Sequence, residues 1–186
     1  MGVSIHYRGQ IADQSRFQDL RGCLLQFADR AGWEYLDLTG PAESEILEII
    51  LYPPGDSEPV SFLFDTHGRL HPPYEEEVEG EECVWCSVKT QGGPLEAHVQ
   101  IVELLKVIQR DYMPSLEVMD EGSYWETQNL ESLRAARGFL VQKRDLFSEA
   151  LGNTEGGSSE PSAEDLCNAV EEAAVKSLDL EKRHLQ

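Results

Sequence analysis

The sequence predicts an α+β protein: a mostly antiparallel curved sheet with helices packed on one face, and a C-terminal helix on a flexible linker. Three observations carry this reading. Short runs suited to strands recur between Val3 and Met119. Few helical stripes interrupt them, so successive strands must pair with each other rather than through helical crossovers. A stretch rich in Gly, Ser and Pro, residues 153–163, then separates the body from a last narrow helical stripe.

Val3, Ile5 and Tyr7 alternate with Ser4, His6 and Arg8, the pattern of a half-buried strand. Ser15 opens a helix, with Gln18 completing a capping box. Phe17, Leu20, Leu24, Phe27 and Ala28 form its apolar stripe, and Gly32 ends it. Strands follow at Trp33–Leu38, Ile46–Tyr52 and Val60–Phe64, the second stopped by Pro53-Pro54-Gly55. Asp65-Thr66-His67-Gly68 reads as a tight turn. Tyr74–Glu82 holds six glutamates and is too charged for a core. Val84–Thr90 is another strand. Pro94 sits in the first turn of a central helix, where its missing N–H costs nothing; the helix runs to about Tyr112 and Pro114 closes it. Leu116–Met119 is the last strand, and a third helix follows Thr127. The order is β-α-β4-α-β-α. In element order alone it resembles helix-on-curved-sheet folds such as the TATA-binding-protein domain. The expected division is an α+β domain over 1–152, a linker over 153–163 and a helical tail over 164–186, where Leu166, Val170, Ala173 and Ser177 make a stripe too narrow to be stable alone.

The chain has 186 residues, 40% of them hydrophobic, enough for one sizeable core. Its formal net charge is −20. Residues 1–150 hold 27 acidic against 12 basic residues, so the body itself is acidic. Nucleic-acid affinity comes largely from Lys and Arg displacing counterions, so no nucleic-acid partner is expected; anionic membrane is disfavoured for the same reason. No apolar run reaches the ~18 residues of a span, and Met1-Gly2-Val3-Ser4 shows no leader pattern, so a cytoplasmic protein is expected. Cys23, Cys83, Cys86 and Cys167 make no disulfide framework.

Two stretches bear most of the chemistry. Val88–Gly93 and Asp120–Thr127 flank the central helix, each where a strand ends. His98 lies in that helix's first turn on its apolar face. A packed histidine is the simpler reading; a neutral base or ligand near the helix N-terminus is the sharper one. Free N–H groups near Gln91–Gly93 are candidates to receive an anion beside it. Asp120, Glu121 and Glu126, with Tyr124 and Trp125 between, are candidates for an acid/base site, since paired carboxylates split roles when their environments differ. Lys89, Thr90, Gln91, His98, Tyr124, Trp125, His6 and Arg8 are the candidate ligand-binding residues. His6 and Arg8 share the open side of the first strand, where Lys89 can join them. Arg134, Arg137, Lys143 and Arg144 form a basic island that most simply neutralises acidic loops. Cys83-Val84-Trp85-Cys86 is a Cys-x-x-Cys, but it precedes a strand beside Glu81 and Glu82 and lacks a second ligand pair, with only His67 and His71 nearby. No cofactor motif, P-loop or hydrolase signature occurs, and no cofactor is expected. The leading expectation is a non-catalytic ligand- or protein-binding module whose partner docks, or which self-associates, through the C-terminal helix. The rival is a small enzyme built on His98, Asp120, Glu121, Tyr124 and Glu126.

Overall fold

The structure, a computed structural model, describes residues 3–40, 47–73, 83–139, 141 and 176. It is an α+β protein with antiparallel strand pairing throughout. The chain divides into two compact units, Gly2–Arg134 and Met1 with Ala135–Gln186. The boundary expected at residue 152, the linker and the tail helix lie outside the described residues, as do Lys143 and Arg144.

In chain order the elements are β1 (Ser4–Arg8), a 3₁₀ turn (Gln14–Arg16), α1 (Phe17–Ala31), β2 (Glu34–Asp37), β3 (Glu48–Tyr52), β4 (Val60–Phe64), β5 (Leu70–His71), β6 (Cys86–Lys89), α2 (Leu95–Asp111), β7 (Glu117–Asp120) and α3 (Tyr124–Thr127). A further helix starts at residue 130. The strands divide between two sheets, ordered β6-β1-β7 and β2-β3-β4-β5. The chain leaving β1 links them: the Leu70 N–H donates to the Gly9 carbonyl and the Ile11 N–H to the Gly68 carbonyl.

β4 lies between covered faces, and all five of its residues are buried. Phe64 meets Phe17 of α1 with ring centroids 5.3 Å apart, and Phe62 meets Tyr7 of β1 at 5.9 Å. The Tyr7 hydroxyl donates to the Ser61 carbonyl (2.7 Å) and accepts from the Ser61 N–H (3.2 Å). One side-chain oxygen thus satisfies both backbone groups of a buried residue beyond the end of the two-residue β5.

Local chemistry sets the boundaries. Gly32 takes the left-handed conformation (φ 69°) that ends α1, and the Trp33 N–H returns to the Ala28 carbonyl, the pattern of a Schellman stop. The start of α1 differs from the expected capping box. Asp13 accepts from both the N–H and the hydroxyl of Ser15, which opens a 3₁₀ turn before the helix proper. The β4–β5 turn is as read: Gly68 (φ 75°) donates to the Asp65 carbonyl, and Asp65 pairs with Arg69. The helix expected after Thr127 starts at residue 130, and a short helix that was not expected, α3, precedes it; Gln128 (φ 52°) separates the two.

Candidate functional site

β6 and β7 both run antiparallel to β1, so their C-terminal ends lie at one rim, on either side of the start of β1. The Thr90 N–H donates to the Val3 carbonyl there, and the Glu121 N–H to the Ser4 carbonyl. The two stretches around the central helix therefore do lie side by side, and α2 starts just after Thr90.

At that rim Thr90, His98 and Asp120 form a continuous buried network. His98 Nδ1 is 2.7 Å from Thr90 Oγ1, and His98 Nε2 is 3.1 and 3.2 Å from the two carboxylate oxygens of Asp120. The ring meets the carboxylate through an Nε2 proton. The Thr90 hydroxyl proton has two acceptors within reach, His98 Nδ1 and the Val3 carbonyl (3.2 Å), and the ring takes the complementary role. Asp120 also accepts the Gly122 N–H (2.7 Å) on one oxygen and the Tyr124 and Trp125 N–H groups (2.8 and 2.9 Å) on the other. It therefore supplies the acceptor that the first turn of α3 needs. Burial opposes its charge, but hydrogen bonding and attraction from His98, with the Trp125 and Gly122 N–H groups, outweigh that and hold its carboxyl below the ordinary carboxylate range.

The network is closed. The His98 and Asp120 side chains are both 0% exposed. Gly122 lies over them so tightly that a Cβ there would stand 2.5 Å from Leu133 Cδ1 and 3.2 Å from His98 Cε1. The arrangement resembles an acid–base relay in its hydrogen bonds, but its oxygens and nitrogens are spent on one another and on backbone. What it does in this geometry is join β6, α2, β7 and α3.

The other expected members of an acid/base site lie elsewhere. Glu121 points to the opposite side of β7 from Asp120, because successive strand residues alternate faces. It accepts the Ser4 N–H (2.8 Å) and lies 3.6 Å from His6 Nε2. Glu126 is exposed, Tyr124 is buried, and Trp125 faces the Lys106 ammonium at 5.7 Å. The expected anion-receiving N–H cluster at 91–93 is packed over. A Cβ on Gly92 would lie 2.6 Å from the Asp56 carbonyl oxygen, and one on Gly93 would overlap the Ser57 hydroxyl. Gln91 itself accepts the Val3 N–H at 3.3 Å.

His6, Arg8 and Lys89 do share the outward face of the β6-β1-β7 sheet, as Ser4↔Lys89 and His6↔Met119 pairing requires. Arg8 is engaged, with Glu117 at 2.8 Å and the Trp85 ring at 4.6 Å. Cys86 is buried and Cys83 half-buried; His67 is exposed, while His71 is buried against the Pro72 carbonyl. Among the described residues no three His, Cys, Asp or Glu side chains are placed to hold a metal ion. Arg134 pairs with Glu131.

Two features escaped the sequence reading. A groove of about 590 Å³ runs between α1 and α2, lined among others by Cys23, Phe27, Arg30, Leu104 and Tyr112. Burial pushes the Cys23 thiol up, so it is not an activated nucleophile. The second feature is the rim of the larger sheet. β2 is its terminal strand. Tyr35 (42%), Leu36 (42%), Leu38 (52%) and Tyr52 (39%) make up four of the seven large apolar residues that stand exposed among those described. The Leu36↔Ile50 and Glu34↔Tyr52 pairing puts Leu36, Leu38, Ile50 and Tyr52 on one face. Compared with known protein families, curated proteins and solved structures, the chain shows no match.

Proposed function

We propose that this chain is a non-catalytic protein-binding module. The observation that carries the reading is the group of exposed Leu36, Leu38 and Tyr52 on one face of the β2 edge, with Tyr35 exposed on the other face of the same edge. Isolated apolar residues on a surface need no explanation, but a contiguous group rimmed by charge is the signature of a docking surface. The closed His98–Asp120–Thr90 network supports the same reading, because its polar atoms are spent within the fold. The acidic composition favours a partner with basic character over nucleic acid or anionic lipid. Among the described residues no helix is long and apolar enough to cross a membrane.

The test is partner capture by the full chain and by a Leu36→Ser/Leu38→Ser variant, with circular dichroism and thermal melting to show that both fold. The reading expects the variant to lose the captured partner and keep its fold. Identical capture by both proteins, or a wild-type chain that is monomeric and captures nothing, overturns it. The C-terminal stripe over 164–186 is proposed as an additional contact. Deleting residues 154–186 without change in oligomeric state or capture removes it from the account.

A further inference from the structure

We infer that the open edge of β2 takes up an extended segment of a partner protein, alternating apolar and basic residues, as an added strand. The inference rests on the protein-binding reading above and names how that partner is held.

The backbone supplies the first argument. In an antiparallel pair the residues alternate between those bonding inward and those bonding outward. The Leu38 N–H donates inward to the Glu48 carbonyl. Leu36 therefore also bonds inward, opposite Ile50, and Tyr35 and Asp37 turn their N–H and C=O groups to the open side. Those four backbone groups are a template for another strand.

The other edges are closed or shorter. Leu70 and Arg69 at β5 meet Gly9 and Gln10. At β6, the Lys89 N–H and carbonyl are both taken by Glu58. At β7, the Asp120 carbonyl accepts the Ser123 N–H, which leaves Val118 as the outward residue.

Side chains supply the second argument. Leu36 and Leu38 stand exposed on one face of the edge and Tyr35 on the other, so an added strand finds apolar contacts on both sides. The charge selects the occupant. Glu34, Asp37 and Glu48 outnumber Arg21, which is bound to Asp37 at 2.6 Å. A second copy of this chain would bring the same acids and a further net charge of −20, whereas a strand carrying Lys or Arg relieves them.

The test uses the full chain and three capped hexapeptides: alternating valine and lysine, alternating valine and glutamate, and the valine–lysine peptide N-methylated at every residue, so that neither edge of the strand can donate. Binding is followed by fluorescence anisotropy, and amide exchange by NMR. The valine–lysine peptide should bind saturably and slow exchange of the Tyr35 and Asp37 amides, with each of the other two weaker by about tenfold or more. Tyr35→Pro should weaken the first peptide by a similar factor, since it removes an outward N–H and none of the β2–β3 bonds. N-methylation makes the same deletion on the peptide, so the result stands even if that variant folds poorly. No saturable binding, or equal binding of the three peptides, overturns strand addition. Dimerisation of the chain itself that Tyr35→Pro abolishes also overturns it, and gives the edge to a second copy. If Leu36→Ser/Leu38→Ser abolishes partner capture while N-methylation changes nothing, the apolar docking surface stands and strand addition falls.

Discussion

Asp120→Asn is the sharpest probe of the buried network. The carboxylate receives four N–H groups: the His98 ring, and the backbones of Gly122, Tyr124 and Trp125. An asparagine amide keeps the shape but offers one acceptor oxygen and turns two N–H donors towards donors already there. At best it serves two of the four. Hydrogen bonds to a charged group contribute about 1.5–3 kcal/mol each, and breaking a buried pair by removing one partner costs about 3–5 kcal/mol. Trp125 is half-exposed, so its N–H regains some water. The expected loss is therefore about 3–5 kcal/mol, a large share of the about 5–15 kcal/mol that holds a domain of this size together. Urea denaturation of wild type and variant at neutral pH measures it. The sign of the pH dependence follows from the lowered carboxyl of Asp120. Its stabilisation is present above the unfolded value of about 4 and is lost as pH falls through the lower folded value. Wild type should thus lose its advantage over Asp120→Asn as pH drops below about 4. A loss under about 1 kcal/mol at neutral pH, or a stability difference that does not narrow in acid, refutes the network as a fold-holding element.

Other substitutions test neighbouring parts of the argument. Gly122→Ala forces a methyl group against Leu133 and His98 and should cost about 1–3 kcal/mol, seen as a lower melting temperature; an unchanged melting temperature means that Leu133 yields freely. Tyr7→Phe strips the buried Ser61 N–H and carbonyl of their shared partner and should cost about 2–3 kcal/mol in urea, where a loss within about 0.5 kcal/mol would show the hydroxyl to be dispensable. Gly68→Ala places a Cβ 2.5 Å from the Ile11 carbonyl oxygen at φ 75° and should destabilise by about 1–3 kcal/mol; a neutral result contradicts the close approach of the β4–β5 turn to the chain after β1. Cys23 should alkylate with iodoacetamide at pH 8 more slowly than free cysteine, read by peptide mass spectrometry, because burial raises its thiol; faster labelling contradicts that.

The strands were legible because their pattern is local. Val3–Arg8 alternates with period two, and the structure buries Ile5 and Tyr7 and leaves Ser4, His6 and Arg8 partly exposed. Gly32 and the Asp65–Gly68 turn were legible for the same reason, since a positive φ calls for glycine where a helix stops or a hairpin turns. The breaks around α3 were not legible. Ser123 (φ 55°) and Gln128 (φ 52°) adopt the left-handed conformation without the residue that normally marks it. Asp120 fixes the first turn of α3 from three residues before Ser123. In the candidate site, the rim shared by Val88–Gly93 and Asp120–Thr127 follows from strand order, and the network of Thr90, His98 and Asp120 lies there. The separation of Asp120 from Glu121 was also implicit in strand alternation, which puts adjacent carboxylates on opposite faces.

By itself, the sequence determined the α+β class, most element positions, the acidic composition and the place of His98 near the start of the central helix. These depend on periodicity, turn chemistry and charge, which act over a few residues or over the whole chain. Only the tertiary structure decided that His98 and Asp120 face each other away from solvent, that Gly92 and Gly93 are covered by the 54–57 segment, and that β2 is left at an open edge. Each of these turns on which distant segments pack together, and long-range packing is set by the collective fit of the core rather than by any local signal.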